Sequence, residues 1–175
     1  KKAWDMLSER RPYYLDLAAY RKSASSTPME TPYTPAVALF LALREALLIA
    51  EAEGVEARIA RHRKMADAVR AAVGAWGLPM FPKTDALHAY SNTATAVSVP
   101  AGVAEKELRT AVKGLGIEIA GGQDHLKGKI FRIGHMGAVG APEILAALAA
   151  TEYGLGKAGW TVKASGVAAA AGKLA

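Results

Sequence analysis

The sequence predicts an α/β fold, a small and largely antiparallel sheet covered by helices. Three observations carry this. Two long helical periodicities run before residue 77, the pattern switches to alternation at residue 95, and from there the order reads β-α-β-β-α. At 175 residues the chain can bury a core without staples, and it has no cysteine for a disulfide or a thiolate zinc site. With 51% hydrophobic and 22% charged residues, its composition is not that of a disordered chain.

Residues 2–10 read as a short helix with Ala3, Met6 and Leu7 inward, and residues 13–22 are apolar and aromatic without a clear period. Pro28, Pro32 and Pro35 then force an extended path, and the main boundary is placed there. Thr34 suits an N-cap and Pro35 the first helical position. The helix that follows, to about residue 53, is apolar almost all round (Val37, Leu39, Phe40, Leu41, Leu43), which predicts burial in a core or a subunit interface. Gly54 ends it. Residues 55–76 form a cleaner amphipathic helix, with Ile59, Ala66, Val69, Val73 and Trp76 on its apolar stripe, and Gly77 stops it. Residues 95–99 alternate as a strand. A helix over 105–114 turns Leu108, Ala111 and Val112 inward. Strands follow over 117–120 and 130–133, separated by Gly121, Gly122 and a polar loop, and a helix covers 142–153. The Gly- and Ala-rich residues 154–175 read as a partly ordered tail with one more short helix.

The formal charge is +6, and it sits at the ends. Residues 1–22 and 157–175 each carry a net +3, whereas residues 23–156 are balanced. A nucleic-acid binder concentrates its basic excess on one face of the folded body, so no nucleic-acid partner is expected. The longest apolar run, residues 36–43, is far short of the roughly 20 residues of a membrane span. With no signal peptide legible either, a cytoplasmic location is expected.

Several motifs fail on context. Gly154, Gly156 and Gly159 match a dinucleotide fingerprint but follow a helix instead of a strand. Gly122, Gly128 and Lys129 lack the spacing and the Ser/Thr of a phosphate loop. His62, His88, His125 and His135 show no ligand spacing, so no metal site is expected. The informative residue is Arg132. Period two puts it on a strand face with Ile130 and Gly134, opposite Phe131 and Ile133. A guanidinium in an apolar strand needs an anion. That anion is either an internal carboxylate, with Glu118 the candidate, or a bound carboxylate or phosphate, for which Arg is the suited side chain.

The residues around Arg132 resemble a known family. Gly121 and Gly122, a polar loop, Gly128-Lys129 and then Phe131-Arg132-Ile133-Gly134-His135-Met136-Gly137 are similar to the carboxy-terminal domain of class V aminotransferases. These are pyridoxal-phosphate enzymes of the alanine–glyoxylate, serine–glyoxylate and serine–pyruvate group. Thr31-Pro32-Tyr33-Thr34-Pro35, Arg44-Glu45-Ala46-Leu47, Arg61-His62-Arg63 and Tyr14-Leu15-Asp16 fit the same family, so the likeness extends to about residue 155.

The resemblance implies that Arg132 grips the substrate α-carboxylate, and that Thr34 reaches the pyridoxal 5'-phosphate of a partner subunit in a homodimer. It implies a second such contact at Thr31, a position often aromatic in the family. The Schiff-base lysine and the groups around the cofactor ring lie, in the family, in segments this sequence lacks. Residues 1–27 then correspond to the end of the large domain, 28–156 to the small domain and 157–175 to a tail. Amino transfer from an amino acid to glyoxylate or pyruvate is expected of the parent enzyme, with no activity in this chain alone. Two alternatives are a non-enzymatic α/β module that binds small carboxylates and a basic nucleic-acid-binding protein.

Overall fold

The computed structural model describes residues 2–6, 10–84 and 89–175, apart from the side chains of Ala3 and Asp5. It divides into two compact units, Lys1–Ala52 and Glu53–Ala175.

The first unit holds α1 (Lys2–Asp5), α2 (Leu17–Ala24) and most of α3 (Val37–Glu53). The helix expected over 2–10 is thus shorter, Met6 is exposed, and Leu7 lies outside the described residues. The aperiodic stretch resolves into a turn and then α2, because Asp16 caps the helix by accepting from the Ala18 N–H at 2.9 Å. Tyr33 gathers the aromatic residues. Its ring centroid lies 4.9, 5.3 and 5.9 Å from those of Tyr13, Tyr14 and Tyr20, and its hydroxyl donates to the Tyr13 carbonyl. Burial, then the nearby Tyr13 and Asp16, holds that hydroxyl above the usual tyrosine range.

Thr34 is not the N-cap of α3. The Phe40 N–H donates to the Ala36 carbonyl at 3.1 Å, so the helix opens two residues later than expected. No residue of α3 is buried within this chain, and Leu39, Phe40, Leu41 and Leu43 are all exposed.

In the second unit α4 (Val55–Trp76) carries the core. Gly54 and Gly77 bound it with φ of 83° and 76°, a left-handed backbone that glycine adopts without strain. Met65, Ala68, Val69, Ala72, Val73 and Trp76 are buried along it, whereas Ile59, expected on that stripe, is exposed. The sheet has three strands in the order β1-β3-β2, where β1 is Ala94–Ser98, β2 Ala120–Gly121 and β3 Ile130–Gly134. Both pairings are antiparallel. The strand expected over 117–120 is therefore largely absent. Of the expected residues only Ala120 enters β2, where it pairs with Arg132.

Val97 and Thr95 of β1 and Phe131 and Ile133 of β3 face the core, where Leu108 and Val112 of α5 (Glu105–Gly114) and Ile144, Leu148 and Leu155 of α6 (Ala141–Lys157) meet them. The last residues are no loose appendage. They include α7 (Gly166–Leu174), capped by Ser165 and packed on α4, with Gly166 and Ala170 buried. Where α5 and α6 touch, a Cβ on Gly154 would lie 2.8 Å from Val112 Cγ2 and 3.0 Å from the Leu108 carbonyl oxygen. Gly154→Ala is expected to cost about 1–3 kcal/mol by overpacking, read as a lower urea midpoint.

Candidate carboxylate site and phosphate contacts

Antiparallel register places Arg132 between Ala96 on β1 and Ala120 on β2. Ala94, Ser98 and Gly134 continue the same face with the buried Ile130, so the strand neighbours directly beside the half-buried guanidinium are small. Its Nε–H donates to the Gly121 carbonyl at 3.0 Å. Glu118 is not its partner: that carboxylate is exposed and lies 3.7 Å from the Lys113 ammonium. Among the described residues no carboxylate reaches ion-pair distance of Arg132, so the terminal nitrogens remain as charged donors for a ligand. This favours the second of the two partners open to a strand arginine, a bound carboxylate or phosphate.

The segment after β3 is fixed by residues whose roles the sequence did not disclose. His62 Nδ1 lies 2.7 Å from the Arg58 carbonyl, and the Gly137 N–H donates to His62 Nε2 at 3.2 Å. A carbonyl only accepts and an amide only donates, so Nδ1 is the donor and Nε2 the acceptor of this ring. Arg61 donates to both Glu53 oxygens and to the Val139 carbonyl at 2.8 Å. The Arg61 hydrogen bond is the main reason the Glu53 carboxyl sits below the usual carboxylate range.

His135 is fully buried, with Nδ1 3.1 Å from the Asn92 carbonyl and Nε2 2.9 Å from Thr95 Oγ1. Burial is the main cause that holds it below the usual histidine range, and the charge of Arg70 adds to it. The unfolded chain protonates this side chain near pH 6.5, but the native state does so only at lower pH. Between the two values the unfolded state binds more protons, so this contribution to stability is lost as pH falls below about 6.5. His135→Gln is expected to flatten that part of the profile in urea midpoints measured from pH 7.5 to 5.5. An unchanged slope would assign the loss to other groups.

Thr31 and Thr34 both lie exposed in the extended segment before α3. Thr31 Oγ1 donates its proton to the Tyr33 carbonyl at 2.8 Å and so offers an anion only lone pairs in this arrangement. Thr34 is an exposed residue, and an exposed threonine hydroxyl can donate to a phosphate. The donor chemistry thus fits a phosphate group at Thr34 directly, and at Thr31 only after its side chain turns. Among the described residues no cluster of metal-ligating side chains exists, and no helix is long and apolar enough to cross a membrane.

A small three-stranded antiparallel sheet covered by helices, with further helical elements before it, is the fold of class V pyridoxal-phosphate-dependent aminotransferase-like proteins. The chain has that fold and matches those enzymes as a partial domain. It is 43% identical over 171 residues to an uncharacterized aminotransferase of Methanocaldococcus jannaschii, covering 95% of this chain and 43% of that protein. It is 44% identical over 174 residues to a Synechococcus protein named the small subunit of a soluble hydrogenase, covering 97% of this chain and 44% of that one. The crystal structure of pyridoxamine–pyruvate aminotransferase from Mesorhizobium loti superposes with a TM-score of 0.87 at 34% identity, covering 99% of this chain and 45% of that one. The chain therefore spans less than half the length of these relatives. No family model matches it.

Proposed function

We propose that this chain is the carboxy-terminal part of an aminotransferase that moves an amino group from an amino acid to a small 2-oxo acid of the glyoxylate or pyruvate kind. The observation that carries the reading is Arg132, an outward guanidinium flanked by alanines and without a protein carboxylate among the described residues. Pyridoxal phosphate, when bound, supplies the electron sink that lets the substrate Cα–H bond break. The task of Arg132 is to bind the α-carboxylate and so orient that bond. Ala96 and Ala120 leave room for a short acid to approach.

In this reading residues 1–27 belong to the large domain and 28–156 to the small one, with 157–175 its packed extension. A second copy covers the apolar surface of α3, and Thr34 and Thr31 of one protomer reach the cofactor phosphate held by the other. The Schiff-base lysine lies outside these 175 residues.

The enzyme that carries this chain is expected to convert glyoxylate to glycine, or pyruvate to alanine, at the expense of an amino-acid donor. Absence of both products across a panel of donors would overturn the reading. The 175-residue chain alone, mixed with pyridoxal phosphate and reduced with borohydride, is expected to yield no stoichiometric lysine adduct.

A further inference from the structure

We propose that the Gly121–Gly122 peptide is a positioning element that closes one edge of the Arg132 guanidinium, so that a single carboxylate binds end-on to its two terminal nitrogens. The proposal rests on the reading of Arg132 as the carboxylate-binding residue. A guanidinium has two bidentate edges, one formed by Nε with a terminal nitrogen and one formed by the two terminal nitrogens. The Gly121 carbonyl takes the Nε–H at 3.0 Å, which leaves only the end-on edge.

The α-carbons on both sides of that carbonyl are closely approached. A Cβ on Gly121 would run into Glu105 Oε1 and lie 3.1 Å from Arg109 Nε. Glu105 is itself only 6% exposed and is paired with Arg109 one helical turn on, so the obstacle is held in place. A Cβ on Gly122 would overlap the Leu126 carbonyl of the 3-10 turn Asp124–Leu126, which folds back onto this peptide. The Gly122 N–H donates to the Ile130 carbonyl at 3.1 Å, tying the same peptide to β3 two residues before Arg132. Neither glycine is among those with a positive φ, so close approach is what demands them here. The peptide is thus fixed by α5, by the 3-10 turn and by β3, and it passes that fixity to the guanidinium.

The test is nuclear magnetic resonance of the isotopically labelled 175-residue chain, with pyruvate as the probe. The Arg132 Nε–H is expected to exchange slowly with solvent and to show hydrogen-bond coupling to the Gly121 carbonyl carbon. Pyruvate is expected to shift the terminal nitrogens and leave that coupling intact. Gly121→Ala is expected to abolish the coupling and weaken pyruvate binding about tenfold, the loss that follows from one hydrogen bond to a charged group. The double variant Glu105→Ala/Gly121→Ala removes the obstructing carboxylate and is expected to regain most of the affinity, a rescue that a general folding defect would not give. Absence of the coupling in the unaltered chain, its loss when pyruvate binds, or unchanged affinity in Gly121→Ala would each overturn the proposal without touching the role of Arg132. Intact coupling with no pyruvate-induced shift at Arg132 would instead overturn the carboxylate reading, and the end-on mode with it. Should Gly121→Ala not fold, the coupling in the unaltered chain, free and with pyruvate, decides.

Discussion

Arg132→Lys is expected to raise the amino-acid KM of the parent enzyme about a hundredfold, with kcat changed only a few fold. A lysine keeps the charge but loses the planar fork, so two parallel charge-assisted bonds to the carboxylate become one. It also loses the Nε–H that rests on Gly121, so the remaining ammonium is no longer aimed. A loss of about 2–3 kcal/mol corresponds to roughly 30- to 150-fold in affinity. The effect falls on KM because the substrate carboxylate is held alike in the ground and transition states. Initial rates over a range of donor concentrations measure it, and an unchanged KM would remove Arg132 from the site.

Trp76→Ala is expected to destabilise the second unit by about 3–5 kcal/mol, near the upper end for single core truncations. Trp76 is fully buried, and its indole N–H donates to Glu152 Oε2 at 2.8 Å. The Gly166 N–H donates to the same oxygen at 2.7 Å, and Trp160 donates its own indole N–H to the Trp76 carbonyl at 3.1 Å. Gly166 lies so near the ring that a Cβ there would sit 2.6 Å from Trp76 Cε2. Removing the indole therefore opens a cavity and takes from Glu152 one of its two donors at the joint between α4, α6 and the start of α7. Urea titration and amide exchange are the measurements, with α7 expected to lose protection first. A variant within 1 kcal/mol of the original would show that α7 is held by other contacts.

Much of this fold is legible in the sequence where single residues set it. Gly54 and Gly77 bound α4 because glycine takes the left-handed backbone found there. Alternation discloses β1 because one of its faces is buried. The packing of α7 was hidden because Gly166 and Ala170 work by letting backbones come close, which leaves little trace in a hydrophobicity pattern. The start of α3 differs from the expected one because Thr34 and Pro35 also suit a helix entrance, two residues before the first intrahelical bond forms. At the site, Arg132 stood out as a charge in an apolar strand. Its actual partner did not, because Gly121 contributes a backbone carbonyl and side-chain chemistry does not report on those. His62 and His135 were visible as residues yet had no assignable role, since their partners include backbone groups 75 and 43 positions away.

The three tryptophans divide between the two units in a way that gives each an optical signature. Trp4 lies in the first unit and is 39% exposed, whereas Trp76 is sealed in the core of the second and Trp160 is half-buried beside it. Native fluorescence is expected to combine a long-wavelength emitter, open to aqueous quenchers such as iodide, with a shorter-wavelength emitter shielded from them. Loss of the shielded emission follows the unfolding of the second unit, and the quenchable component follows the first. The chain thus reports without any added label whether its two units melt together or apart.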